Sequence, residues 1–188
     1  MLKFLIFAFR LLGGLVRGLK DGLWARSPLM FIDTEGHGEG ETGGAGGQSI
    51  SNFGEALVAV EVVEALMAAG LSEDMVGMIS PYWAQAGLLR SLMWEGAGRL
   101  GVEVRTVDGY QGREKEVVVV SLVRSNPSGA VGFLEESRRL NVAVTRARRC
   151  AIIIGDALTL ATDPAIASLV DFCQENNCFK KLSEIFPS

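Results

Sequence analysis

From Leu29 onward the apolar positions follow two alternating rhythms. Short continuous runs rich in Val, Ile and Phe are separated by stretches in which apolar residues recur three and four positions apart. The first rhythm predicts strands at 29–33, 75–79, 102–107, 117–123 and 150–155, and the second predicts helices between them. Such alternation is the pattern of an α/β domain on a mostly parallel sheet. After the first strand comes a glycine-rich stretch, 35–51, and then a helix that Asn52 can cap while Glu55, three positions on, reaches back to the cap's amide. Phe53, Ala56, Leu57, Val60, Val63 and Met67 form its predicted buried stripe. Ser80-Pro81 offers a cap and a first-turn proline for the next helix, with Leu88, Leu89 and Leu92 inward. Asp163-Pro164 does the same for the last helix, where Ile166, Leu169, Val170 and Cys173 share one face. The domain is expected to span 29–178, with 179–188 as a C-terminal tail.

Residues 1–28 follow neither rhythm. No acidic residue precedes Asp21, and Lys3, Arg10 and Arg17 recur every seven positions, which stacks them along one edge of a helix. Arg10 and Gly13-Gly14 interrupt the apolar run well short of the roughly 20 residues that a membrane span needs. The expectation is a basic amphipathic helical appendage without a stable membrane span. Packing, organellar targeting and an interfacial role all stay open, although the lack of Ser before position 27 counts against targeting.

Composition narrows the chemistry. The 188 residues are 48% apolar and 21% charged, enough for one globular core. Eighteen Lys and Arg against 22 Asp and Glu give a net charge of −4, so any polyanion site has to be local. Cys150, Cys173 and Cys178 show no metal-ligand spacing, and their odd number argues against a disulfide framework. The single histidine, His37, stands among glycines, which removes His-rich metal sites. A cytoplasmic or nuclear location fits these features.

Three segments are candidates for chemistry. The glycine-rich stretch lacks the lysine of a G-x-x-x-x-G-K-[ST] phosphate loop and reads as a connector. Segment 137–149 reads as a helix with Leu140, Ala143, Val144 and Ala147 inward, and it carries five arginines within twelve residues. That concentration suits phosphate recognition, or else a solvated face paired with Glu135 and Glu136. Segment 106–116, TVDGYQGREKE, lies between two strands, where Gly109 and Gly112 permit a tight turn at the strand end that usually borders ligands in open α/β sheets. Asp108, Gln111, Arg113 and Glu114 would then face one cleft.

The blocks TVDGYQGREKEVVVVSLVRSN and GFLEESRRLNVAVTRARR resemble motifs V and VI of the superfamily 1 helicases of the up-frameshift type. Ser80-Pro81-Tyr82 with Gln85 resembles motif IV, and Asn52 with Glu55 matches a helix start in the same family. The likeness runs from about 29 to 178 and is nearest to the immunoglobulin mu-binding helicase subgroup. It implies a three-layer RecA-like fold of the P-loop NTPase type: the second lobe of a 5′ to 3′ motor that closes over ATP and Mg²⁺ held by a first lobe. It further implies that Arg146 is an arginine finger, assisted by Arg148, and that Gln111 lines the interlobe cleft. Glu114 would take the ribose hydroxyls, with Arg113 beside it and Gly112 allowing close approach. Pro81, Tyr82, Thr106, Val107 and Asp108 would touch the backbone of single-stranded RNA or DNA. The family's phosphate-loop lysine, its Asp-Glu metal motif and its Tyr-Arg-Met-His-Pro segment do not occur in these 188 residues. The chain is therefore expected to be inactive without a first RecA-like lobe, or else to be a non-catalytic nucleic-acid or protein binding module.

Overall fold

A computed structural model describes residues 28–36, 40–43 and 49–185. The basic segment through residue 27 and, in the glycine-rich connector, residues 37–39, with His37, and 44–48 lie outside the described residues. Six strands, β1 (Leu29–Asp33), β2 (Val76–Ser80), β3 (Glu103–Thr106), β4 (Lys115–Ser121), β5 (Ala147–Gly155) and β6 (Phe179–Lys181), form one parallel sheet in the order β3-β2-β4-β5-β1-β6. Helices cover both faces, which is why the central strands are apolar at successive positions rather than at alternate ones.

On one face Ile32, Met78, Val117, Val119 and Ile152 pack against α1 (Phe53–Ala68) and α2 (Trp83–Ser91), which a π-helical turn, Leu92–Gly96, extends. On the other, Phe31, Ile79, Val118, Val120 and Ile153 meet α3 (Ser137–Val144) and α5 (Pro164–Glu175); the short α4 (Ala157–Leu160) precedes α5. This is the three-layer RecA-like arrangement. Asp163 caps α5 by accepting from the Ala165 and Ile166 amides, and Ile166, Val170 and Cys173 are buried as the spacing predicts. All three cysteines are buried free thiols.

Some elements depart from expectation. Phe179–Lys181, placed in a tail, pairs with β1 instead, with the Phe179 ring stacked 5.6 Å from Phe31, and α6 (Leu182–Ile185) follows. Three residues are too few for periodicity to register. Ser80 ends β2 rather than capping α2, which begins after Tyr82; the Ser80 hydroxyl accepts from the Tyr82 amide at 3.3 Å. α1 is rotated in part from its predicted stripe: Ala56 and Val63 are buried as expected, but Phe53 and Leu57 are exposed, while Glu55, Val58, Ala59, Val62 and Leu66 are buried. The helix is apolar nearly all round, so the pattern alone does not set its rotation. Glu55, drawn inward, does. Asn52 does cap it, accepting from the Glu55 amide at 3.0 Å, yet the Glu55 carboxylate leaves the Asn52 amide to Gln85 Oε1 at 2.8 Å.

Candidate functional site

The segment 107–114 does not make one tight turn. The Val107 amide donates to Ser80 O at the end of β2, and the turn Asp108–Tyr110 then carries the chain back along the sheet. The Tyr110 side chain lies over Gly77, near the start of β2, where a Cβ would overlap its hydroxyl. Lys115 then opens β4 at the far edge. Asp108 thus sits at the C-terminal edge of the strands, while Arg113 and Glu114 sit at the N-terminal edge. The two edges are separated by the length of β2, roughly 13 Å at ~3.3 Å per residue. The expectation that Asp108, Gln111, Arg113 and Glu114 share a cleft is corrected accordingly.

Segment 137–149 is corrected as well. α3 stops at Val144, the Thr145 hydroxyl donates to Asn141 O at 2.8 Å, and Ala147 already belongs to β5. Arg138 and Arg139 are helical, Arg146 lies in the turn, and Arg148 and Arg149 lie on the strand. The β-branched and apolar run that follows recruits Ala147, Arg148 and Arg149 into the parallel ladder, where Lys115 aligns with Ala147.

That turn brings Arg146 to the same edge as Glu114. The Lys115 amide donates to Arg146 O at 3.1 Å, and Arg148 Nε donates to Glu114 Oε2 at 3.2 Å. Arg148 also lies 3.5 Å from Glu116, to which Arg149 donates. The Glu114 hydrogen bond and charge hold the Arg148 guanidinium above its ordinary range. Arg146 differs from both. Its Nε donates to Val142 O at 3.1 Å and its Nη2 to the Thr145 hydroxyl at 3.2 Å, and among the described residues no carboxylate lies within ion-pairing distance of it. Gln111 and Gly112 are exposed on the approach to this edge; Gly112 has φ +76°, and open space surrounds the position of a Cβ. Arg113 turns away from Glu114 and pairs with Glu103 at 2.7 Å.

Pro81, Tyr82, Thr106, Val107 and Asp108 gather at the opposite, C-terminal edge. Two of them present little side chain there: Val107 is 3% exposed within the core, and Tyr82 is 8% exposed, its hydroxyl donating to Val131 O at 3.4 Å. Exposed aromatic surface comes instead from Trp83 and from Phe133, whose ring carries the Arg139 guanidinium 3.5 Å from its centroid. The sequence marked neither Trp83 nor Phe133, and Arg139 only as one of the five arginines of segment 137–149.

A family profile described as "AAA domain" matches residues 18–158. The chain is 41% identical over 174 residues to "DNA-binding protein SMUBP-2" of Mus musculus, covering 90% of this chain and 17% of that protein. It is 40% identical over 153 residues to "DNA polymerase alpha-associated DNA helicase A" of Saccharomyces cerevisiae, covering 79% and 22%. With "Regulator of nonsense transcripts 1" of Dictyostelium discoideum the identity is 36% over 158 residues, covering 81% and 12%. The chain belongs to the superfamily 1 helicases of the up-frameshift type. It spans less than a quarter of the length of these relatives, and it corresponds to the helicase family's C-terminal RecA-like domain. Among the described residues no helix is long and apolar enough to cross a membrane.

At the C-terminal edge of this helicase domain the chain leaves β4 through a strained turn. Val123 has φ +76°, a costly conformation for a β-branched residue, and the Arg124 amide closes a three-residue turn onto Leu122 O at 2.9 Å. The α1 cap and first turn hold it: Glu55 Oε1 accepts from the Val123 amide at 2.8 Å, and Asn52 Nδ2 donates to Val123 O at 3.1 Å. Glu55 Oε1 also accepts from Ser121 Oγ at 2.6 Å, and Gln85 Nε2 donates to the same hydroxyl at 2.9 Å. Burial pushes the Glu55 carboxyl up to about 7, against the opposing hydrogen bonds from Ser121 and Val123. The turn aims Arg124, 9% exposed, at Glu41 in the glycine-rich connector, 3.0 Å away. Neither Val123 nor the Glu41–Arg124 pair is legible locally, because 83 residues separate the partners.

Proposed function

We propose that this chain is the C-terminal motor lobe of an ATP-dependent 5′ to 3′ helicase acting on single-stranded RNA or DNA, and that Arg146 is its arginine finger. The supporting observation is Arg146, which among the described residues has no carboxylate within ion-pairing distance, at a strand edge where Arg148 and Arg149 are each matched to one. A guanidinium fixed through Nε and Nη2 to the α3 terminus is oriented while keeping its charge for a phosphoryl group that gains negative charge in the transition state. Glu114, half exposed at the same rim, fits a ribose: its carboxylate can exchange one Arg148 contact for sugar hydroxyls. Gly112 leaves room beside it.

Bound Mg²⁺ would neutralise the β- and γ-phosphates. In this reading its ligands, with the phosphate loop, belong to the first lobe, supplied in the same polypeptide or by a partner. Nucleic acid would lie across the opposite edge, over the Thr106 and Asp108 turn and the Pro81 corner. α3, whose N-terminal turn adjoins Phe133 and whose C-terminal turn carries Arg146, would link the two edges. The names of the relatives, a DNA-binding protein and a DNA helicase among them, support that substrate class.

The test is nucleic-acid-stimulated ATPase activity of this chain combined with a first lobe from the same family. Arg146→Ala should lower turnover at least about tenfold, the scale of one lost transition-state contact, while Arg138→Ala should leave it unchanged. Equal turnover in wild type and Arg146→Ala would remove Arg146 from the reaction.

A further inference from the structure

β3 ends the sheet. It pairs with β2 on one side, and among the described residues no strand pairs with its other side. Along that open side runs a groove of about 410 Å³, which reaches the N-terminal edge at Arg113 and Lys115. Alternation along the strand sends Glu103 and Arg105 to one face of the sheet and Val102 and Val104 to the other. On the first face Arg105, Arg113 and Lys115 surround the single Glu103 carboxylate at 2.8, 2.7 and 3.8 Å. Burial alone would raise that carboxyl, but the Arg105 hydrogen bond and the charges of Arg113, Arg105 and Lys115 hold it below its ordinary range. On the second face Arg90 lies 5.7 Å from the Trp94 ring, whose Nε1 donates to Val102 O at 3.2 Å.

Cations therefore flank the open strand on both of its faces. Four of them against one carboxylate give the groove lining a charge of +3 in a chain whose net charge is −4. Charged edges commonly serve only to repel other strands. Here the groove also includes Leu100, 73% exposed, and part of Trp94, apolar surface that a purely repulsive edge does not need.

We propose that the β3 edge docks an acidic extended segment of a partner protein, which adds to the sheet as a seventh strand. Side chains of an added strand alternate between faces. Those on the Glu103 and Arg105 face would be acidic, and those on the other would be apolar, against Trp94 and Leu100. A nucleic-acid strand shares the charge but has no backbone amide ladder to offer the open edge. This inference does not depend on the ATPase reading.

The test uses the full 188-residue chain and a fluorescein-labelled peptide, Glu-Val-Glu-Val-Glu-Val, followed by anisotropy at low and physiological salt. Expected results are saturable binding, no binding of the Lys-Val counterpart, and at least about tenfold weakening by Arg105→Glu on the charged face and by Leu100→Glu on the apolar one. Far-ultraviolet circular dichroism of both variants confirms that each is folded, and N-methylating alternate amides of the peptide, with the protein unaltered, should also abolish binding. Equal binding of the N-methylated peptide would reduce the site to bare electrostatics and overturn the proposal. So would no peptide binding, or displacement of the peptide by an oligothymidylate of equal length that is itself weakened by Arg105→Glu.

Discussion

Replacing Glu55 by Gln isolates the most unusual ionisable group in the fold. The carboxyl is fully buried, accepts from Ser121 and Val123 through Oε1, and leaves Oε2 buried without a hydrogen-bond partner among the described residues. Burial raises it from about 4.5, its value in an unfolded chain, to about 7. Between those values the folded state binds the proton and the unfolded state does not, so stability falls as pH rises. The contribution is complete below about pH 4.5, is lost as pH climbs through about 7, and is flat above. At ~1.4 kcal/mol per pH decade the full loss is about 3 kcal/mol, of which about 2–3 kcal/mol falls between pH 5 and pH 8. Glu55→Gln keeps the Oε1 acceptor and the volume while removing the titration. Urea unfolding of both proteins at pH 5, 6, 7 and 8 gives the difference directly. Wild type should lose about 2–3 kcal/mol relative to Glu55→Gln across that range. A difference that stays constant within about 0.5 kcal/mol would show that burial does not govern this carboxyl.

Three further substitutions probe the packing between the two edges and the cap of α5. The Tyr110 hydroxyl is buried without a hydrogen-bond partner among the described residues, so Tyr110→Phe should be neutral or stabilise by up to about 1 kcal/mol in urea unfolding; a loss larger than that would reveal a partner. Gly77→Ala puts a Cβ onto the same hydroxyl and should cost at least about 2 kcal/mol, partly recovered in the Gly77→Ala, Tyr110→Phe double variant. Removing the α5 cap with Asp163→Ala should cost about 1 kcal/mol, measured as a shift in the urea midpoint at unchanged slope.

What could be read from the chain depended on the range over which each signal acts. β1 matched its predicted bounds, because its apolar run is a local property, and the Asp163 cap was readable for the same reason. Motif likeness placed Glu114 and Arg146 in one functional group, and the sheet register brings them to one edge through Lys115 and Ala147. Spacing could not show that 106–116 runs from one edge to the other, since that depends on Tyr110 finding room over Gly77 in a different strand. Nor could it show where α3 yields to β5, because Arg146, Ala147 and Arg148 extend a helical pattern that only pairing with β4 interrupts. The rotation of α1 was hidden for a related reason. A glutamate at its first turn reads as a capping partner, whereas its oxygen is taken by Ser121 and Val123, 66 and 68 positions away.

In the proposed function Arg146 meets the transferring phosphoryl group across the interface with a first lobe. Association of this chain with such a lobe, followed by fluorescence in ADP with aluminium fluoride and Mg²⁺, measures that contact without turnover. Arg146→Ala should weaken this association at least about tenfold relative to wild type and leave association in ADP alone unchanged. Equal association of wild type and Arg146→Ala in the presence of aluminium fluoride would contradict it.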